Sequence, residues 1–247
     1  MPARNHLQAA FLIVRRKVAA SRTLPALFAG FGLFLGFLWA KDSFSLALRA
    51  YLFLFPYLFL FLSQDIFRDE IDSGALESVI FVNGGFREYL FSKLMILPVF
   101  GLVASAAMFS VFAACGVASG SARIVPGHLV QLLAGVSAGL YYLAVGGCLS
   151  FFFKAGSNVL IVIIGQVFMG IGFFLSMTSR RGWVEAVLSN DLSGPVRKLR
   201  FLGLTLLFPN AAIARPRPFL IAGLALAALG AICLARRRIR KLEIFQT

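Results

Sequence analysis

The chain has 247 residues, of which 60% are hydrophobic, and 27 of them are Phe. Soluble domains run at roughly 45–50% apolar, so this much apolar surface does not fit inside one water-soluble core, and the chain reads as an integral membrane protein. Its formal net charge is +14, from 24 Lys and Arg against 10 Asp and Glu, and where those charges fall relative to the apolar runs sets the expected orientation.

The amino end, RNHLQAAFLIVRRKVAAS, breaks its apolar run with Arg15, Arg16 and Lys17, which a cleaved signal peptide would not do. Leu7, Ala10, Phe11 and Val14 recur at helical spacing, so residues 1–23 are expected to form an amphipathic helix lying in the interface. A basic tail is the alternative reading.

Six apolar windows of about 20 residues follow. They run Leu24 to Ala40, Phe44 to Ser63, Leu94 to Gly116, Leu129 to Phe153, Asn158 to Met177 and Phe219 to Ala235. The expected fold class is therefore an all-α integral membrane protein with six transmembrane helices, because β-barrel strands do not give such long continuous runs. Gly32 with Gly36, and Gly135 with Gly139, form GxxxG pairs that permit close helix approach. Pro56 and Pro98 each remove a backbone donor and predict kinks in the second and third spans.

Between the second and third spans lies DIFRDEIDSGALESVIFVNGG, residues 65–85, which holds five of the ten acidic residues. Ile71, Ala75, Leu76, Val79 and Ile80 make an apolar stripe, while Asp69, Glu70, Asp72, Ser73 and Glu77 take the other positions. Asn83, Gly84 and Gly85 supply a stop signal. The spacing predicts one short amphipathic helix at the cytoplasmic mouth. Acidic residues are repelled by an anionic inner leaflet, so a protein partner explains this helix better than lipid does. A solvated loop is the bland alternative.

With the amino terminus inside, 14 of the 24 basic residues fall on the cytoplasmic side, among them Arg15, Arg16, Lys17, Arg68, Lys93 and Arg236 to Arg238. Both termini are then cytoplasmic. The connection 178–218 dissents, with seven basic residues against Glu185 and Asp191, and keeps the inverted topology open. Within it, Phe201 to Ala214 is apolar but only 14 residues long, too short to cross. Pro209 and Asn210 supply a turn, so the segment either dips into the outer leaflet and returns or rests on the surface.

Chemistry-bearing patterns are few. Cys115, Cys148 and Cys233 lie in different spans without metal or redox spacing, and His6 and His128 have no ligand-spaced partners. No GxxxxGK[ST] phosphate loop occurs, so the chain is not expected to be an enzyme or to hydrolyse ATP itself. The span interiors hold Gln131, Gln166 and hydroxyls, with Arg49 able to snorkel, and nothing that reads as a proton relay.

The stretch DEIDSGALESVIFVNGGFREYLFSK, with its acidic segment, small residue and Gly, Leu-Glu, apolar run and Lys opening the next span, resembles the first cytoplasmic loop of ABC-2 type permeases, the membrane subunits of ATP-binding cassette exporters. It departs from that pattern in lacking a Pro after the Leu-Glu. The resemblance implies one permease domain over 1–247, with an amphipathic amino-terminal helix, a cytoplasmic coupling loop over 64–93, an external loop over 178–218 and a re-entrant element before the last span. It implies that Asp69, Glu70, Ile71, Asp72, Ser73, Gly74, Leu76, Glu77 and Ile80 form a coupling helix that docks on a separate cytoplasmic ATPase. ATP and Mg would belong to that partner, and none of the cofactors to this chain. A second permease copy or paralogue and membrane lipid complete the implied partners, with no nucleic acid, in a bacterial inner (plasma) membrane. The alternatives are a gradient-driven transporter or channel, disfavoured by the uncharged span interiors, and a noncatalytic membrane assembly subunit.

Overall fold

The computed structural model describes residues 23–41, 43–64, 66–67, 72, 74, 78, 86–120, 125–153, 157–178, 194–214 and 216–244. The expected interfacial helix over 1–23, most of the acidic stretch and the first half of the 178–218 connection lie outside the described residues, which contain helices and no strand.

Nine helices are described: α1 (Thr23–Lys41), α2 (Phe44–Leu54), α3 (Pro56–Leu62), α4 (Phe86–Ala118), α5 (Pro126–Leu149), α6 (Ser157–Thr178), α7 (Pro195–Leu207), α8 (Ala211–Ala214) and α9 (Pro218–Ile244). Local chemistry explains many of their ends. Ser43 caps α2, its Oγ accepting the Leu46 N–H at 3.2 Å. Prolines stand at the first turns of α3, α5, α7 and α9, where a missing N–H costs nothing. Past the end of α4, Gly120 takes the left-handed conformation, φ +67°, that closes a helix.

Pro56 divides the second apolar window into α2 and α3 at Phe55, as a missing amide donor requires. By contrast α4 continues through Pro98 as one helical element. Among the described residues, four helical segments are long and apolar enough to cross a membrane: Phe44–Leu62, Leu97–Ala118, Pro126–Leu149 and Pro218–Ala235. The described apolar parts of α1 and α6, Phe28–Lys41 and Ser157–Met169, are shorter. These segments make the chain an integral membrane protein whose described regular structure is all helical.

Burial sorts the segments into a centre and a periphery. Half or more of Phe44–Leu62 and Pro126–Leu149 is buried, against 22% of Leu97–Ala118 and of Pro218–Ala235. The peripheral helices turn Val103, Val111, Leu226 and Leu229 outward, which suits contact with acyl chains.

The central pair packs through glycine. Lipid tails are as apolar as Leu, so helices in a bilayer gain by close contact rather than by escape from water. On α5, Gly135 and Gly139 lie under the rings of Phe55 and Phe59, and Gly146 lies under the Ser63 side chain. A Cβ at Gly135 would stand 2.5 Å from Phe55 Cε1, and one at Gly139 would stand 2.6 Å from Phe59 Cδ2. The far side of the Phe59 ring meets Gly101 of α4, where a Cβ would be 2.5 Å away. Phe59 is thus gripped between two glycines and fully buried. The other GxxxG pair, Gly32 and Gly36, has nothing within 4 Å of either Cβ position.

An aromatic cluster fills the opposite side of α2. Phe44 stacks on Phe112 at 4.7 Å, Trp39 meets both rings edge-on, and Tyr51 stacks on Phe55 at 5.4 Å. The Tyr51 hydroxyl donates to the Ser105 carbonyl at 2.7 Å, tying α2 to α4.

The segment 195–214 forms a helical hairpin, α7 and α8 joined by a turn at Phe208 to Asn210. Phe201, Thr205, Pro209, Asn210, Ala212 and Ile213 are buried, and the Tyr141 hydroxyl of α5 donates to the Leu206 carbonyl at 2.8 Å. The tip reaches Phe53, midway along the Phe44–Leu62 segment.

Candidate functional site

Of the residues singled out in the acidic stretch, Asp72 and Gly74 are described and both are exposed. Asp69, Glu70, Ile71, Ser73, Leu76, Glu77 and Ile80 lie outside the described residues. Gly74 corrects one expectation: its φ of +68° is left-handed, so 69–80 is not one continuous helix. Asp72 and Ser78 are helical on either side of this turn. Without a Cβ, glycine enters that conformation at no steric cost, as at a helix carboxyl end.

The root of the stretch is built into the bundle. After α3, Ile66 and Phe67 are buried, and Phe67 stacks on Phe151 beyond the end of α5 at 4.5 Å and 17°. Asn158, at the start of α6, donates from Nδ2 to the Ser63 carbonyl at 3.1 Å and to the Gly146 carbonyl at 2.9 Å. One buried amide therefore bridges carbonyls at the ends of two helices, adding to the backbone N–H groups of Ile66 and Ser150 that each carbonyl already accepts. Its own Oδ1 is buried without a hydrogen-bond partner among the described residues.

At the centre of the molecule, side chains distant in sequence form a hydrogen-bonded chain. The Tyr57 hydroxyl of α3 donates to Gln166 Oε1 of α6 at 2.6 Å. Gln166 Nε2 donates to the Tyr142 hydroxyl of α5 at 2.6 Å, and that hydroxyl donates to Asn210 Oδ1 in the hairpin turn at 2.6 Å. Asn210 Nδ2 then donates to the Phe53 carbonyl of α2. The direction is fixed from the Phe53 end, because a backbone carbonyl only accepts. Asn210 must present its NH₂ there and its oxygen to Tyr142, Tyr142 must accept from the Gln166 NH₂, and Gln166 must turn its oxygen to Tyr57. Tyr57 and Tyr142 also stack at 5.3 Å.

Beside the outer end of this chain is a cavity of about 580 Å³, within the roughly 300–1,000 Å³ usual for small-ligand sites. Phe31 and Phe34 of α1, Phe61 of α3 and Phe208 of the hairpin turn supply aromatic walls, and Tyr57 and Gln166 supply the polar side chains.

Sequence reading marked Gln166 as a polar group inside a span but did not connect it to Tyr57, Tyr142 or Asn210. The available signal was energetic, since an amide in an apolar helix needs a partner and each apolar window offers few. Among the described residues no group of three His, Cys, Asp or Glu is placed to hold a metal. The three cysteines are free, with Cys115 and Cys233 exposed. Comparison with protein-family models, with curated proteins and with solved structures found no match.

Proposed function

We propose that the chain is the membrane-spanning permease subunit of an ATP-driven exporter, with six spans, working with a separate ATP-binding cassette ATPase and a second permease copy. In this reading the acidic stretch is the docking element and the 195–214 hairpin is re-entrant from the outer face. The observation that carries the reading is the anchored root of the acidic stretch. Ser63, Phe67, Phe151 and Asn158 join it to α3, α5 and α6, so a push on the stretch moves helices instead of being absorbed by a loop. The uncharged phenols and amides at the bundle centre fit an energy source outside the membrane better than an ion-coupled one. Within this stretch Gly74 makes a left-handed turn, and in sequence Glu70 precedes that turn and Glu77 follows it.

The test is copurification from native membranes of a nucleotide-binding subunit with the wild-type chain and with Leu76→Asp at matched expression, alongside transport with and without ATP. Loss of the ATPase in Leu76→Asp supports the reading. Transport without ATP, or no copurifying ATPase in the wild type, overturns it in favour of a gradient-driven carrier or an assembly subunit.

A further inference from the structure

The cavity beside Tyr57 has a defined hydrogen-bonding character that follows from the direction of the central chain. The Phe53 carbonyl forces every link, so the Tyr57 proton is committed to Gln166 Oε1. Gln166 turns its nitrogen inward to Tyr142. The Tyr142 hydroxyl is also within hydrogen-bonding reach of the Tyr57 oxygen, but its proton goes to Asn210 Oδ1, so what Tyr57 can still offer the cavity it lines is an acceptor and not a donor. Phe31, Phe34, Phe61 and Phe208 form much of the remaining wall. None of its described lining residues carries a charge, and an unpaired charge brought into such a place would be costly.

We infer that this cavity binds a membrane-dissolved, uncharged amphiphile whose polar group is a hydrogen-bond donor, an alcohol, with the hydroxyl on Tyr57 Oη and the hydrocarbon among the phenylalanines. The chemistry excludes its nearest relatives by different means. An ether of the same chain length fills the apolar walls but offers Tyr57 no proton. A quaternary ammonium brings a charge with no counterion and likewise no donor. This inference concerns the isolated chain and needs no ATPase, so it stands or falls separately from the permease reading.

The experiment uses the full chain in lipid nanodiscs and a photoactivatable diazirine analogue of hexadecanol, with the crosslinked residues read by mass spectrometry. Labelling should map to α3 and α6 around Phe61 and Val167. 1-Hexadecanol should compete it about five- to tenfold better than hexadecyl methyl ether, the effect of one net hydrogen bond, and hexadecyltrimethylammonium should compete weakly. Tyr57→Phe should bring alcohol and ether to equal potency, and Val167→Trp, which fills the cavity, should remove the labelling. Equal competition by alcohol and ether in the wild type overturns the inference without reliance on any variant. So does labelling that survives Val167→Trp in a monodisperse preparation, or preference for the ammonium.

Discussion

Adding one methyl group at Gly139 tests the account of the central pair most directly. In Gly139→Ala the new Cβ would lie 2.6, 2.8 and 2.9 Å from Phe59 Cδ2, Cγ and Cε2, well inside van der Waals contact. A ring free along its other edge would swing away, but that edge of Phe59 already rests against Gly101, where a Cβ would meet Cε1 at 2.5 Å. Overpacking a well-filled core costs about 1–3 kcal/mol, and a ring hemmed in along both its edges places this case in the upper half of that range. Gly32→Ala supplies the contrast. It changes a residue in the same GxxxG pattern with nothing within 4 Å, so it should stay within about 0.5 kcal/mol of wild type, helped by the higher helix propensity of Ala. Stability would be read by SDS titration in mixed micelles, with the double variant Gly139→Ala, Phe59→Leu completing a cycle. Trimming the ring makes room for the methyl group, so the double variant should be about 1–2 kcal/mol less destabilised than the sum of the singles. Additive costs, or Gly139→Ala as mild as Gly32→Ala, would refute the claim that Phe59 is clamped.

Other outcomes follow from the polar centre and from the permease reading. Tyr142→Phe leaves Gln166 Nε2 and Asn210 Oδ1 each short of a partner and should cost about 1–2 kcal/mol in the same titration, with no loss of expression in the membrane. Charge reversal at Glu70 and Glu77 to Lys should weaken ATPase copurification mainly at low salt, whereas Leu76→Asp should break it at any salt; identical salt profiles would contradict the division into rim and anchor. Gly74→Ala imposes the left-handed conformation on a residue with a Cβ, a penalty of roughly 1–2 kcal/mol, and should reduce transport without altering charge. A single Cys near Trp183 in a cysteine-free background should react with an impermeant thiol reagent in intact cells; labelling only after lysis would reverse the orientation.

The apolar windows made the helices legible, and Pro56 made the break between α2 and α3 legible too. Helix ends were less so, for a physical reason. Hydropathy stops at the first charges, but backbone hydrogen bonding does not, so α9 continues from Ala235 through the arginines to Ile244 and α4 begins at Phe86 instead of Leu94. Gly74 was misread because an amphipathic stripe constrains side chains and says little about one glycine's φ. The two GxxxG pairs look alike in sequence, yet one receives the rings of Phe55 and Phe59 and the other touches nothing within 4 Å, a difference set by which neighbour the fold brings up. The central chain was hidden for the same reason. Tyr57 and Gln166 are 109 residues apart and Phe53 and Asn210 are 157 apart, and no local pattern spans such distances.

The alternation of phenol and amide along the central chain has an electrical consequence. Protons cross a membrane by hopping between oxygens or imidazoles that accept on one side while releasing on the other. Gln166 and Asn210 interrupt such hopping, because a carboxamide would have to pass through its high-energy imidic acid form to relay a proton from its oxygen to its nitrogen. Tyr142 is flanked by one amide on each side, and although the Tyr57 and Tyr142 hydroxyls also approach each other directly, the path onward to the Phe53 carbonyl still runs through the Asn210 amide. This hydrogen-bonded chain can therefore hold α2, α3, α5, α6 and the hairpin turn in register through polar groups without itself serving as a continuous proton wire.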